Sequence, residues 1–198
     1  MHSSERREVT FYERVGKRAV DVAGAVLALV VLAPALLLTA AAIKLEDGGD
    51  IFFRQTRVGK NGTRFSLLKF RSMPQNAPEI PSADAAALKV TRVGRLIRRS
   101  NIDELSQLVN ILRGEMSIVG PRPALPKQEE LVRLRGATSA TAVAPGLTGL
   151  AQVEAYTGMT LAEKVKWDAR YADQVSFWAD VKIVLRTVLY LFRQPPVY

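Results

Sequence analysis

Val22 to Ile43, VAGAVLALVVLAPALLLTAAAI, is a run of uncharged residues that sets the first limit on how this chain folds. As one straight helix it measures roughly 33 Å, against a bilayer hydrocarbon core of about 30 Å. The run is too long for a signal-peptide core and no small-residue cleavage site follows it, so it belongs to the folded protein. Pro34 sits just past its middle and offers no N–H to the carbonyl of Val30. Arg6, Arg7, Arg14, Lys17 and Arg18 precede the run, and Lys44, Arg54, Arg57 and Lys60 follow it. A span would leave one basic flank outside, against the positive-inside tendency. Two arms of about 11 residues, each roughly 16 Å long, can instead dip into one leaflet and return. The residues thus favour a re-entrant helix with a membrane break at Pro34 over a crossing helix.

The rest of the chain is that of one folded domain. It has 198 residues, 48% of them hydrophobic, and lacks cysteine, so disulfides and thiolate chemistry are excluded; its one histidine is the terminal His2. A net charge of +9 calls for an anionic partner, either a phosphorylated molecule, nucleic acid or an acidic membrane surface. The organisation expected is a basic N-terminal segment over 1–18, the broken membrane helix over 19–43 and a cytoplasmic catalytic domain over 44–198. The fold class expected is α+β, predominantly helical, with a small β-hairpin and amphipathic interfacial helices.

The hairpin is read from Ile51 to Met73, where two apolar-rich runs flank Gly-Lys-Asn-Gly and carry Arg54, Arg57, Arg64, Lys69 and Arg71. Residues 74–84, with three prolines, read as an exposed loop. Residues 85–113 read as helical: Ile102, Leu105, Val109 and Leu112 form an apolar stripe, with Asp103, Gln107 and Asn110 opposite and Glu104 beside them. In the C-terminal helix, Lys182, Arg186 and Arg193 share one side, while Trp178, Val181, Leu185, Val188 and Phe192 surround the other. That layout suits a membrane interface or a core contact.

Asp103 and Glu104 are the chemically suggestive pair. An acid pair opening a helix is ordinarily explained by the helix dipole. Here Arg95, Arg98 and Arg99 lie just before it, and Arg122, between two prolines in GPRP, follows soon after. Such cations can hold a diphosphate while a carboxylate acts on it.

KFRSM (69–73), TRVGRLIRRSNIDELSQLVNILRGEMSIVGPRP (91–123) and PGLTGLAQV (145–153), in this order behind a proline-containing membrane segment, resemble the bacterial monotopic phosphoglycosyl transferases. The resemblance runs from about Lys17 to Leu191 and suggests the minimal catalytic form of that family. It implies transfer of a sugar phosphate from a nucleoside diphosphate sugar, usually a UDP sugar, to polyprenol phosphate at the cytoplasmic membrane face, with release of UMP. By position, Asp103 is implied as the nucleophile that forms a covalent phosphosugar intermediate, and Glu104 as the ligand of Mg²⁺. Lys69, Arg71, Arg98 and Arg122 are implied as substrate contacts, and Gln107 as a group orienting Asp103. Asp168 and Tyr171 match a family segment without a catalytic role. The implied partners are the donor, the polyprenol phosphate and the lipid bilayer, with no nucleic acid; a homo-oligomer is left open. Ala33 stands where members often have serine, Leu150 where many have tryptophan, and EAYTGM (154–159) where many have Asn-Gly-Arg, which touches the sugar-side pocket. The rival readings are a membrane-tethered nucleic-acid binder, with few aromatics among its basic runs to support it, and a non-catalytic membrane scaffold.

Overall fold

The computed structural model describes residues 10–75, 90–154 and 158–193, with side chains through Tyr190. Within them the chain is mostly helical with two small sheets. A π-helical turn, Tyr12–Gly16, leads into α1, Lys17–Asp47. The expected hairpin is present: β1, Phe52–Val58, pairs antiparallel with β2, Arg64–Phe70, across a short 3₁₀ turn in which Asn61 and Gly62 take positive φ. Then come α2 (Arg92–Arg99), a 3₁₀ helix (Ile102–Gln107) and α3 (Leu108–Arg113). They are followed by β3 (Ser117–Val119), α4 (Glu129–Gly136), β4 (Gly146–Thr148), α5 (Leu150–Glu154), α6 (Leu161–Asp173) and α7 (Phe177–Arg193). The 74–84 loop, the basic residues before Thr10, half of EAYTGM (155–157) and the side chains of Phe192 and Arg193 lie largely or wholly outside the described residues.

The expected break at Pro34 is not there as two helices: α1 runs unbroken through the proline. Proline has helix-compatible φ and removes one hydrogen bond, and packing on both sides of it holds the helix together. Before Pro34, Ala25, Ala28 and Leu29 pack with Leu108, Ile111 and Met116. After it, Leu36, Ala40 and Ile43 pack with Phe70 and Ile97. Polar ties fasten the same two ends. Arg18 donates to the last carbonyls of α3, at Ile111 and Leu112 (2.5 and 2.8 Å), where helix polarity favours a cation. Asp21 accepts from Ser117 Oγ and the Ile118 N–H, Lys17 reaches Asp180 at 2.7 Å, and Asp47 pairs with Arg71. Val26, Leu27, Val30, Val31, Leu37 and Leu38 are left exposed on the other face of α1.

The second correction concerns residues 90–113 of the helix expected over 85–113, residues 85–89 lying outside the described residues. The helix is interrupted at Ser100–Asn101, where Asn101 adopts φ 55°, a conformation asparagine tolerates. The amphipathic pattern is also inverted, because Asp103, Glu104, Ser106, Gln107 and Asn110 are buried while Ile102, Leu105, Val109 and Leu112 are only half-buried. The reason is the free edge of β2, whose polar backbone groups need partners. Asn110 supplies three bonds there or beside it: its Oδ1 accepts from Leu68 N–H (2.9 Å), and its Nδ2 donates to Ser66 O (2.8 Å) and to Glu115 (2.6 Å). Ser106 Oγ donates to Leu68 O at 3.1 Å. The polar stripe therefore faces the sheet edge.

β3 and β4 form a two-stranded parallel sheet. Its motif glycines have a steric cause: a Cβ on Gly120 would sit 2.3 Å from Ala144 O, and one on Gly146 2.1 Å from Gly120 N. Only glycine lets GPRP and PGLTG approach backbone to backbone. The adjoining core joins Val119, Val143, Tyr171, Ala172, Val175 and Ile183, and Leu150 packs on it. In α7, Asp180 and Ile183 are buried, whereas Trp178, Leu185, Val188 and Leu189 are exposed alongside Lys182 and Arg186, so one face meets the core and the other mixes exposed apolar and basic residues.

Candidate active site

The acid pair sits on the 3₁₀ helix, pressed toward β2 by the edge contacts of Ser106 and Asn110. Glu104 is held between two cations. Lys69 Nζ, from β2, donates to Oε1 at 2.8 Å, and Arg122 donates to Oε1 at 2.6 Å and to Oε2 at 3.3 Å, a forked contact. Burial alone would raise the Glu104 pKa, but Arg122 and then Lys69 outweigh it and hold this carboxyl well below the usual range.

Asp103, its neighbour, differs. Its Oδ1 is buried without a hydrogen-bond partner. Burial pushes its pKa up to about 6, with Glu104 adding to the rise and Lys69, Arg98 and Arg122 opposing it. Two adjacent carboxylates thus occupy opposite electrostatic situations, one saturated with cations and one left unpaired among them. An unpaired carboxylate near positive charge is suited to attack an electron-poor phosphorus drawn in by those cations.

The remaining expected residues are distributed around this pair. Arg98, from α2, is tied to Ser72 Oγ at 2.8 Å. Arg71 is buried and paired with Asp47, with its Nε and Nη1 lacking partners, so its observed role is at the end of α1. Gln107 is buried at the end of the 3₁₀ helix and makes no hydrogen bond to the Asp103 carboxylate. The structure brings Lys69, Arg122, Asp103 and Glu104 together directly, with Arg98 near enough to act on Asp103 electrostatically.

Sequence reasoning passed over Arg57, Arg135 and the pairing of Asp168. Arg135 Nε and Nη2 donate to Asp168 Oδ2 at 2.9 and 2.5 Å in a buried pair. Arg57 donates to Pro123 O at 3.1 Å and to Gln55 Oε1 at 2.7 Å. A signal for Arg57 existed: in β1 the alternation places Phe53, Gln55 and Arg57 on the sheltered face and Arg54 and Thr56 outside. Nothing comparable marked Arg135. Tyr171 is buried away from the acid pair, its hydroxyl 2.7 Å from Asp180 Oδ1, the shorter contact, and 3.0 Å from Val119 O.

A family model described as bacterial sugar transferase matches residues 12–194. The chain is 44% identical over 181 residues to a UDP-glucose:undecaprenyl-phosphate glucose-1-phosphate transferase of Caulobacter vibrioides, covering 87% of this chain and 68% of that protein. It is 39% identical to the exopolysaccharide production protein ExoY of Sinorhizobium fredii, covering 88% of this chain and 84% of that one. It is also 39% identical to a UDP-glucose:undecaprenyl-phosphate glucose-1-phosphate transferase of Escherichia coli strain K12, covering 93% of this chain but 42% of the longer protein. With a family match across nearly its whole length and relatives of this identity and coverage, the chain belongs to the bacterial sugar transferase family.

Proposed function

We propose that this protein transfers a sugar phosphate from a UDP sugar to undecaprenyl phosphate, releasing UMP and starting the assembly of a polysaccharide or other glycoconjugate. The observation that carries the reading is the contrast within the pair: Glu104 gripped by Lys69 and Arg122, and Asp103 beside it with a buried, unpartnered oxygen. The named substrates follow from the relatives, whose printed activities join UDP-glucose to undecaprenyl phosphate. Another relative is named for N-acetylgalactosamine, so the sugar is a matter for the assay.

In the proposed reaction Arg122 and Lys69 draw in the donor diphosphate, with Arg98 close by. An oxygen of the Asp103 carboxylate bonds to the sugar-bearing phosphorus as the bond from that phosphorus to the bridging oxygen breaks, and UMP leaves with that oxygen. A phosphate oxygen of the polyprenol phosphate then attacks the same phosphorus, the bond to Asp103 breaks, and the carboxylate is restored. Among the described residues no group of three or more acidic or histidine side chains forms a ready-made metal cage, so Mg²⁺ would rest on one carboxylate and take the rest of its shell from water and substrate phosphates, as this ion commonly does. Glu104 would hold it, in exchange for part of its present contact with Lys69 and Arg122. When bound, the metal would offset charge on the diphosphate. With Mg²⁺, undecaprenyl phosphate and a panel of UDP sugars, the purified protein should release UMP with at least one donor. No UMP from any donor would sink this reading.

We further propose that α1 lies with its exposed apolar face against the membrane, bending at Pro34 as it dips toward the lipid, and that both its ends stay on the cytoplasmic side. Supporting this, residues on either side of Pro34 pack on one and the same domain, and the exposed face of α1 is apolar. A crossing helix could not keep both ends on one domain at one face of the bilayer. Because the chain has no cysteine, single cysteines at Ser3 and Asp50 provide the check. Neither should react with a membrane-impermeant thiol reagent on intact cells, and labelling of either from outside would establish a span.

A further inference from the structure

Arg122 reaches Glu104 from a stretch of backbone that cannot fasten itself, since Pro121 and Pro123 on either side have no N–H to donate. Of these three residues only Arg122 keeps an N–H, and all three successive carbonyls are taken. Pro121 O accepts from Gly146 N–H at 3.0 Å, Arg122 O from Arg135 Nη1 at 2.8 Å, and Pro123 O from Arg57 Nη1 at 3.1 Å. The two arginines are themselves braced. Asp168 takes Nε and Nη2 of Arg135, and Gln55 takes Nη2 of Arg57.

From this geometry we infer that Arg57 and Arg135 are positioning residues: together they clamp the Pro-Arg-Pro carbonyls and so aim the Arg122 guanidinium at the diphosphate site. The inference rests on the transferase reading and extends it to residues that need not touch substrate. Guanidinium is suited to this because its planar fork can hold a brace with one edge and a carbonyl with another. Cationic charge adds a second effect, since Arg57 lies close enough to Arg122 and Glu104 for each to alter its ionisation. Burial and then Arg122 lower the Arg57 pKa to about 10, which leaves it charged at neutral pH.

Arg57 is the better handle for a test, since it is only half-buried and Arg135 belongs to a buried ion pair. In the full-length protein, Arg57→Met should lower kcat/KM for the donor by about tenfold or more, and Arg57→Lys, which can still donate to Pro123 O, should recover part of the loss. The decisive measurement is UDP affinity in a double-mutant cycle with Arg122→Ala. If Arg57 acts through Arg122, Arg57→Met should weaken UDP binding in the parent and change it by less than about twofold once Arg122 is gone. Gln55→Ala, which frees the brace and leaves Arg57 in place, should move affinity in the same direction by a smaller factor, and this arm remains if Arg57→Met does not fold. Additive effects in the cycle, or parent-like affinity in both Arg57→Met and Gln55→Ala, would overturn the clamp. A parent that binds UDP but releases no UMP would instead count against the transferase reading and leave the cycle interpretable.

Discussion

Asp103→Asn should abolish turnover and the covalent phosphosugar adduct while making the metal-free protein more stable at neutral pH. The catalytic half follows from chemistry, because a neutral amide is a poor nucleophile toward phosphorus. The stability half follows from burial, which raises the Asp103 pKa from 3.8 to about 6. A carboxyl that binds its proton more tightly when folded favours the folded state below its unfolded pKa, and that advantage is lost as pH rises through the folded value. Above about pH 6 the ionised side chain therefore costs about 3 kcal/mol, the two-unit shift multiplied by about 1.4 kcal/mol per unit. In a chelator-containing buffer the unfolding midpoint of the Asp103→Asn variant should exceed that of the parent at pH 7, and the gap should close as pH falls toward 4. Adduct formation is read by incubating the protein with Mg²⁺ and donor without acceptor: the parent should release at most one UMP per site and gain the mass of a sugar phosphate. A variant that still forms the adduct would assign the nucleophile elsewhere, and a variant less stable than the parent at pH 7 would mean that Asp103 has a structural partner in solution.

The second large effect is expected at Asp168→Ala. Its carboxylate is buried and holds two nitrogens of Arg135, whose third nitrogen holds the Arg122 carbonyl. Removing one partner of a buried ion pair leaves an uncompensated charge and typically costs about 3–5 kcal/mol. For a chain of this size that lowers the unfolding midpoint by roughly 10 °C. The released Arg135 also stops anchoring Arg122, so donor use should fall beyond what lost folding explains, when compared at a temperature where both proteins are folded. Replacing both partners, Arg135→Met with Asp168→Leu, should recover much of the stability and little of the activity, because the apolar pair packs without burying a charge. Recovery of both would reduce the pair to a packing element.

The amino-acid sequence by itself determined the hairpin and its turn, and it singled out the candidate acid pair Asp103 and Glu104. The Gly-Lys-Asn-Gly turn between apolar runs specified the hairpin, because few residues accept the positive φ found at Asn61 and Gly62. Capping also works at short range, and Thr160 with Glu163 opens α6 as a capping box. Asp103, Glu104 and Arg122 could be singled out because motif residues keep their order along the chain. Tertiary structure decided the rest. Pro34 reads as a break when only backbone hydrogen bonds are counted, yet contacts from β2, α2 and α3 hold both sides of α1 in one helix. The polar stripe of residues 103–110 reads as solvent-facing by periodicity, but it turns inward because the unpaired edge of β2, some 40 residues earlier, needs hydrogen-bond partners. Likewise, nothing near Arg135 in the chain announces Asp168 or the Arg122 carbonyl, since these contacts join α4, α6 and the Pro-Arg-Pro turn. Propensity and pattern act over a few residues, whereas the satisfaction of buried charges and backbone groups is settled by whichever distant segments the fold brings alongside.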